Sequence, residues 1–534
     1  MIDRLATLWP EIFMFFGTCV VMVLGLSPTY RIRKACSPIA AMTLIVAGIA
    51  AIYTTPPGRG LMPELVPYAK TLVAGVGLLM LLLLAGTVDR EQERLVRAGS
   101  GFDPLRSTRA EFYAFFLFSL TGVMLTAGAE DLIWLFLALE LTSLPTYVMV
   151  TISTAGKRSQ EAGIKYFFLG ALGSGVFLYG FTLLYGATGT TSLPGIHDWF
   201  VENGIGSIGL LGLIVSFLGL CFKIAAVPMH MYTPDVYEGS AAPVSAFLAF
   251  TPKAAGFLAI MLLAAVAGWN HPVGTGARTG LPEMFHLAIW VVAAMTMTVG
   301  NVLAILQNSI KRILAYSSIA HSGYMLVGIV AGPGRSFATD GLAAVLFYLF
   351  AYGVMNLGAF AVVGSVEHAE AGDADPGEIE TVDDLKGLYQ IHPVLAAVMA
   401  LCTLSLLGLP PLLGFWGKLP LFGAGVRAGE IPLVILLGIN SAISGVYYLR
   451  LAKAAVLDEP VAGSPQTRPS PFPARALAAT LSAAGVLAFI VASNPIMRAS
   501  QRAARLNRPA PAAMGSNADS EGTGLAERDD PRGP

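Results

Sequence analysis

IGLLGLIVSFLGLCFKIAAVP, residues 208–228, carries a single charge, Lys223, in an apolar run that ends on proline. A helix needs about 20 such residues to cross a ~30 Å hydrocarbon core. An ammonium near the centre of that core costs roughly 2.5–3.5 kcal/mol on insertion scales. Pro228 then removes a backbone donor shortly after the lysine and clashes with the preceding turn. An ion beside an interrupted helix at membrane depth is what a segment lining a hydrated path requires.

The same pattern recurs outward from this run. Glu140 lies near the middle of LIWLFLALELTSLPTYVMV (132–150), the only acidic residue so placed. Lys253 directly follows Pro252, Lys418 lies between the pair Pro410, Pro411 and Pro420, and Lys165 sits in a further apolar stretch. Five charges in oil cost on the order of 10–15 kcal/mol unless they pair, deprotonate or meet water. An ammonium stripped of solvation binds its proton less tightly. A carboxylate about 6 Å away opposes that by roughly 2–3 kcal/mol at an effective dielectric near 20. Acid and amine together therefore read as a proton path with a switchable pair. A static buried ion pair accounts for Glu140 and one lysine but leaves the other lysines without an acid.

Hydrophobic content of 55%, charged content of 13% and mean hydropathy of +0.67 place the chain outside soluble domains. About fourteen apolar stretches, from 8–26 to 476–492, predict an all-α polytopic membrane protein, because a run in lipid must satisfy its own backbone. Helices 7, 8 and 12 are expected to be broken. The net charge of -1 gives no reason to expect nucleic acid. Cys19, Cys36, Cys221 and Cys402 lack ligand spacing, and no nucleotide or haem motif is present, so no cofactor or metal is expected on this chain. Three stretches read as non-helical: 367–386, acidic; 458–473, proline-rich; and 508–534, a polar tail.

Basic residues fall in alternate loops, after the first span (Arg31, Arg33, Lys34), the third (Arg90 to Arg109), the fifth (Lys157, Arg158), the ninth (Lys311, Arg312) and the thirteenth (Arg450 to Arg475). That asymmetry predicts these loops in the cytoplasm and both termini outside. Arg498, Arg502, Arg505 and Arg508 depart from it. Gly219 precedes Lys223 by four and Gly414 precedes Lys418 by four, an echo that fits two five-helix repeats, inverted because each holds an odd number of spans. The expected division is 1–110 (three helices), 111–267 and 268–450 (the two repeats), and 451–534 (linker, last helix, tail). In KRILAYSSIAHSGYML (311–326), His321 with Ser317, Ser318 and Ser322 extends the polar line. His230, Asp235 and Glu238 are candidates for its mouth, and Asn301, Asn356 and Asn440 for interhelical hydrogen bonds.

LALELTSLPTYV, FKIAAVPMHMYTPDVYEGSAAPVSAFLAFTPKAAGF, KRILAYSSIAHSGYML, and DDLKGL followed by GLPPLLGFWGK resemble the antiporter-like subunits of respiratory complex I. Lysine at both Lys253 and Lys418 sets the chain apart from the M type, with glutamate at the latter position, and from the L type, which lacks the former and adds a lateral helix. The resemblance implies a fourteen-helix fold with two inverted five-helix bundles in a bacterial inner membrane. It further implies a proton-translocating module of an NADH:quinone oxidoreductase, partnered by an antiporter-like M subunit and small K, J and A types, with redox groups elsewhere. Glu140 and Lys223 would be the switching pair, Lys165 its modulator, Lys253 the axial carrier and Lys418 the exit. The alternative is a stand-alone Mrp-type cation/proton antiporter subunit.

Overall fold

The computed structural model describes residues 7–54, 58, 60–99, 101–154, 156–273, 278–368, 377–460 and 467–507. Among them, ten helices are long and apolar enough to cross a membrane, or eleven if the bent final helix counts as one span. Three shorter apolar helices accompany them. In chain order we number α1 (Trp9–Gly25), α2 (Cys36–Ile52), α3 (Leu65–Leu83), α4 (Arg109–Ala127), α5 (Leu132–Thr151), α6 (Lys157–Thr188), α7 (Ser207–Lys223) and α8 (Ala242–Ala267). There follow α9 (Glu283–Ile305), α10 (Ile310–Ala331), α11 (Gly341–Ser365), α12 (Pro393–Leu407), α13 (Leu413–Ala428), α14 (Ile431–Val456) and α15 (Pro473–Ala503). Two three-residue antiparallel pairs, His271–Val273 with Arg278–Gly280 and Val366–His368 with Thr467–Pro469, and three isolated bridges are the β-structure of the described residues.

The chain is all-α for the reason its composition gives: apolar runs close their own hydrogen bonds, and short polar residues start them. Asp131, Ser309 and Asp340 each accept a backbone N–H at the first turn of α5, α10 and α11. α8 lies at the centre, enclosed along its whole length, against α4, α5, α7, α10 and α11. α6 and α7 pack closely because glycines face backbone: a Cβ on Gly180 would stand 2.3 Å from the Ser216 nitrogen, and one on Gly219 2.3 Å from that of Phe177.

The chain is interrupted between α7 and the short helix Tyr232–Gly239, and again between α12 and α13. The break expected in the eighth helix is absent. α8 runs unbroken from Ala242 to Ala267 with Pro252 inside it. Proline at that point deletes one ladder bond, and packing on every side holds the helix together across the gap.

Contacts gather the basic loops at one end of the bundle. Arg33 reaches the Ser107 carbonyl, Arg109 pairs with Glu93 and Asp89, Arg312 with Asp235, and Lys311 with Glu378. Arg475, read from sequence as a loop residue, is fully buried there, donating to the carbonyls of Ala85 (2.8 Å) and Gly364 (2.7 Å). A cation so placed answers the exposed carbonyls at the ends of α3 and α11. The acidic loop is part of this surface: Glu378 accepts from the Ala242 amide, and the Glu380 carbonyl from Ile310. Its residues 369–376 lie outside the described residues, as do 508–534 of the tail and 461–466 of the proline-rich stretch.

Candidate functional site: a buried line of amines

The first amine stands where α7 stops. The Ala225 amide bonds the Phe222 carbonyl (3.0 Å) and the Ala226 amide that of Cys221 (2.8 Å), with Ala225 left-handed at φ 55°. This double return is a Schellman cap, built on alanine where glycine is usual. Lys223 is thereby the last helical residue, at the negative end of the helix dipole. Its Nζ donates to Glu140 Oε1 (3.1 Å) on α5 and to Ser143 Oγ (2.7 Å) one turn further along. Ser174 of α6 donates to the same Glu140 oxygen at 2.5 Å. Lys223 is buried, whereas the Glu140 side chain keeps 19% exposure, so the acid is the partner nearer the outside of this chain.

The break after Lys223 leaves backbone groups that neighbouring helices meet. Ser322 of α10 donates to the Ile224 carbonyl (2.5 Å), and the Val227 amide donates to Thr296 Oγ1 of α9 (3.0 Å). Ser322 also reaches the Ser318 carbonyl (3.3 Å). The second amine, Lys253 of α8, donates to Ser318 Oγ (2.6 Å) and to the Ser318 carbonyl, and lies over the Tyr352 ring at 4.8 Å. One face of α10 therefore joins the surroundings of Lys223 to Lys253.

That face continues into an aromatic cage. His321 is fully buried, with Nδ1 2.7 Å from the Tyr348 hydroxyl and Nε2 2.8 Å from that of Tyr448. Tyr448 in turn bonds Ser317. The third amine, Lys418 of α13, donates across the second break to the Leu407 carbonyl (2.8 Å) and to Ser441 Oγ of α14 (3.1 Å), over the Tyr324 ring at 4.9 Å. Among the described residues neither Lys253 nor Lys418 has a carboxylate within salt-bridge distance. Asn301 bonds Tyr324, Asn440 and Tyr447, tying α9, α10 and α14 around the third amine.

Lys165 does not join this line. It stands 44% exposed at the end with the basic loops, paired with Glu161 (2.8 Å) and Asp235 (3.1 Å). It sits only two turns into α6, and its helical face points to that surface. Arg312 bridges Asp235 and Glu238, both at 3.0 Å. Lys165, Glu161, Asp235 and Glu238 rim a cavity of ≈ 340 Å³ with Arg158 and Glu380. Burial pushes the Asp235 carboxyl up, but hydrogen bonds and charge from Lys165 and Arg312 outweigh it and hold it below the usual range.

The sequence reading missed a further buried pair. Lys70 of α3, 1% exposed, donates to Glu11 of α1 at 2.8 Å. It also missed Ser174, the acid's second partner, although a lone serine among the glycines of GALGSGVF was the available signal.

The family described as "NADH:quinone oxidoreductase/Mrp antiporter, TM" matches residues 129–444, which hold Glu140, the three buried lysines and His321. This chain belongs to that family. Among curated members it is 35% identical over 517 residues to NADH-quinone oxidoreductase subunit N of Paramagnetospirillum magneticum, covering 94% of this chain and 97% of that one. Of solved structures, a chain of respiratory complex I from Thermus thermophilus with bound aureothin aligns at TM-score 0.72 and 31% identity, over 92% of this chain and 98% of that one. A chain of the Mrp complex from a Dietzia species aligns at TM-score 0.74 over 94% and 97%, but at 19% identity that likeness concerns the fold alone. Like other members of this family, the antiporter-like subunit is a multi-pass membrane protein of the translocase class.

Proposed function

We propose that this antiporter-like subunit is the N-type membrane-arm module of a proton-pumping NADH:quinone oxidoreductase in a bacterial inner membrane, with both termini outside. In this reading the helices make fourteen spans, with α7 closing at the break after Lys223 and α12 with α13 forming one broken span. Residues 1–110 form the first three helices, 111–267 and 268–450 two inverted repeats, and 451–534 the linker, last helix and tail. Its neighbours would be an M-type subunit and small K, J and A types. The similarity to subunit N along nearly the whole chain favours this over a stand-alone Mrp-type antiporter, for which the likeness is one of fold.

The observation that carries the proposal is the Glu140–Lys223 pair opening onto the serine face of α10. Drawing the carboxylate from 3.1 Å to about 7 Å weakens its attraction for the ammonium by roughly 3 kcal/mol at an effective dielectric of 20. That is enough to decide whether the proton stays on Lys223 or moves on. Ser322, Ser318, Lys253 and His321 supply donors and acceptors toward Lys418, and Lys165 with Asp235 and Arg312 forms the mouth. The chain itself does no redox chemistry in this scheme. The test is to purify the native assembly and measure NADH-driven acidification of proteoliposomes. The proposal requires NADH dehydrogenase activity to co-purify. It also requires Glu140→Gln to lower pumping at least tenfold. Na⁺-dependent exchange independent of NADH would overturn it in favour of an antiporter.

A further inference from the structure

α15 does not end as a simple span. Its first part, Pro473–Phe489, and its last, Asn494–Ala503, meet at 88°, so if the first crosses the membrane the second lies in its plane. The second part is fixed at the end opposite the basic loops. Ser500 bonds the Tyr68 hydroxyl (3.0 Å), Gln501 donates to the Arg335 carbonyl (3.3 Å), and the Asn507 amide to that of Leu61 (2.9 Å).

The two faces of this segment differ sharply. Ser500, Ala503 and Ala504 are buried against the bundle. Arg498, Arg502 and Arg505, spaced by four and three, form one exposed stripe, and none has an ion-pair partner among the described residues. These are the arginines that broke the loop asymmetry of the sequence. An in-plane helix with an anchored inner face and a basic outer stripe meets the headgroup layer, where each arginine near an anionic surface gains about fivefold in binding.

We propose that Asn494–Leu506 is an interfacial clamp in which Arg498, Arg502 and Arg505 bind phosphate groups of anionic phospholipid in the leaflet away from the basic loops. The clamp seats the last helix against α3 and α11. A lipid suits the stripe better than a polypeptide because the three side chains lie along the membrane plane at the edge of a span.

The full chain is reconstituted in nanodiscs of phosphatidylcholine containing photo-crosslinkable phosphatidylglycerol, and adducts are mapped by peptide mass spectrometry. Peptides covering 31–34 and 90–97 serve as internal reference. The wild type should label residues 494–507. The triple variant R498Q/R502Q/R505Q should lose roughly a hundredfold of that labelling at unchanged reference signal, and the triple lysine variant should keep most of it. Equal labelling in the triple glutamine variant overturns the proposal. So does a variant that keeps its lipid adducts but loses a co-purifying polypeptide. If the triple variant does not fold, R498Q and R502Q singly should each lose about fivefold, and no loss in either also overturns it.

Discussion

The two interrupted regions use the same backbone device for different ends. Both close a helix with a Schellman return: Ala225 and Ala226 bond back to Phe222 and Cys221, and Gly408 and Leu409 to Ser405 and Leu404. In each a buried lysine sits at the freed helix end. Lys223 is the last residue of the helix that stops, and it has an acid at 3.1 Å. Lys418 belongs to the helix that starts again, reaches back to the Leu407 carbonyl, and has only neutral partners. The glycine-to-lysine echo in the sequence therefore marks similar breaks but not equivalent places. What differs is that an ion pair can be opened by moving its acid, whereas a lysine held by carbonyl, hydroxyl and ring changes state only when a proton arrives or leaves.

The largest expected effect separates these two cases. Lys223→Met leaves the Glu140 carboxylate with Ser174 and no cation, and should both abolish NADH-driven pumping and destabilise the chain. Removing one partner of a buried pair costs about 3–5 kcal/mol, and the partial exposure of Glu140 brings this to roughly 2–3 kcal/mol. Lys418→Met should also stop pumping but strands no charge, so its stability should stay within about 1 kcal/mol of wild type. Thermal unfolding in detergent, read beside pumping, checks the contrast. Equal destabilisation by the two substitutions would show that the acid is not what holds Lys223.

The charged line was legible because a charge in an apolar run has few bland explanations. Glu140, Lys223, Lys253 and Lys418 were found from sequence for that reason, and the structure buries the three lysines and brings the acid to the first. Lys165 was misplaced because position within a run says nothing about which side of the helix faces out. Lys70 is not legible in the sequence because its partner, Glu11, is 59 residues earlier, and such a pairing has no local sign. Pro252 was read as a break because proline deletes a hydrogen bond, but whether the helix yields depends on neighbours that α8 has on every side. The arginines after residue 494 looked like a topological anomaly until the bend in α15 placed them across the bundle end.

The caps offer a smaller test of the same comparison. Alanine in the left-handed region costs roughly 1–2 kcal/mol, so Ala225→Gly should stabilise the first break by up to about 1 kcal/mol after the entropic cost of glycine. Gly408 has φ 93°, and a Cβ there would lie 3.0 Å from Lys418 Cδ. Gly408→Ala should therefore destabilise by about 1–2 kcal/mol and disturb the third amine as well. Unfolding midpoints that move in the same direction for both variants would deny the two breaks a common cap.

The mouth gives the smallest effect and a definite pH window. Asp235 is held ionised by Lys165 and Arg312, and its carboxyl lies below the usual range despite burial. A carboxyl lowered by folding contributes stability above its unfolded value of about 3.9, and loses it as pH falls through the lower folded value. The melting-temperature gap between wild type and Asp235→Asn should then be constant from pH 7 to about 5 and close only below about 4. Because these pairs are exposed and screened, the gap should also shrink in high salt. The Glu140–Lys223 pair, enclosed by α5, α6 and α7, should not respond in the same way. If salt weakened pumping through Glu140 as strongly as it narrows the Asp235 gap, the mouth and the buried pair would share one solvent environment, and the distinction between a screened gate and an enclosed switch would fail.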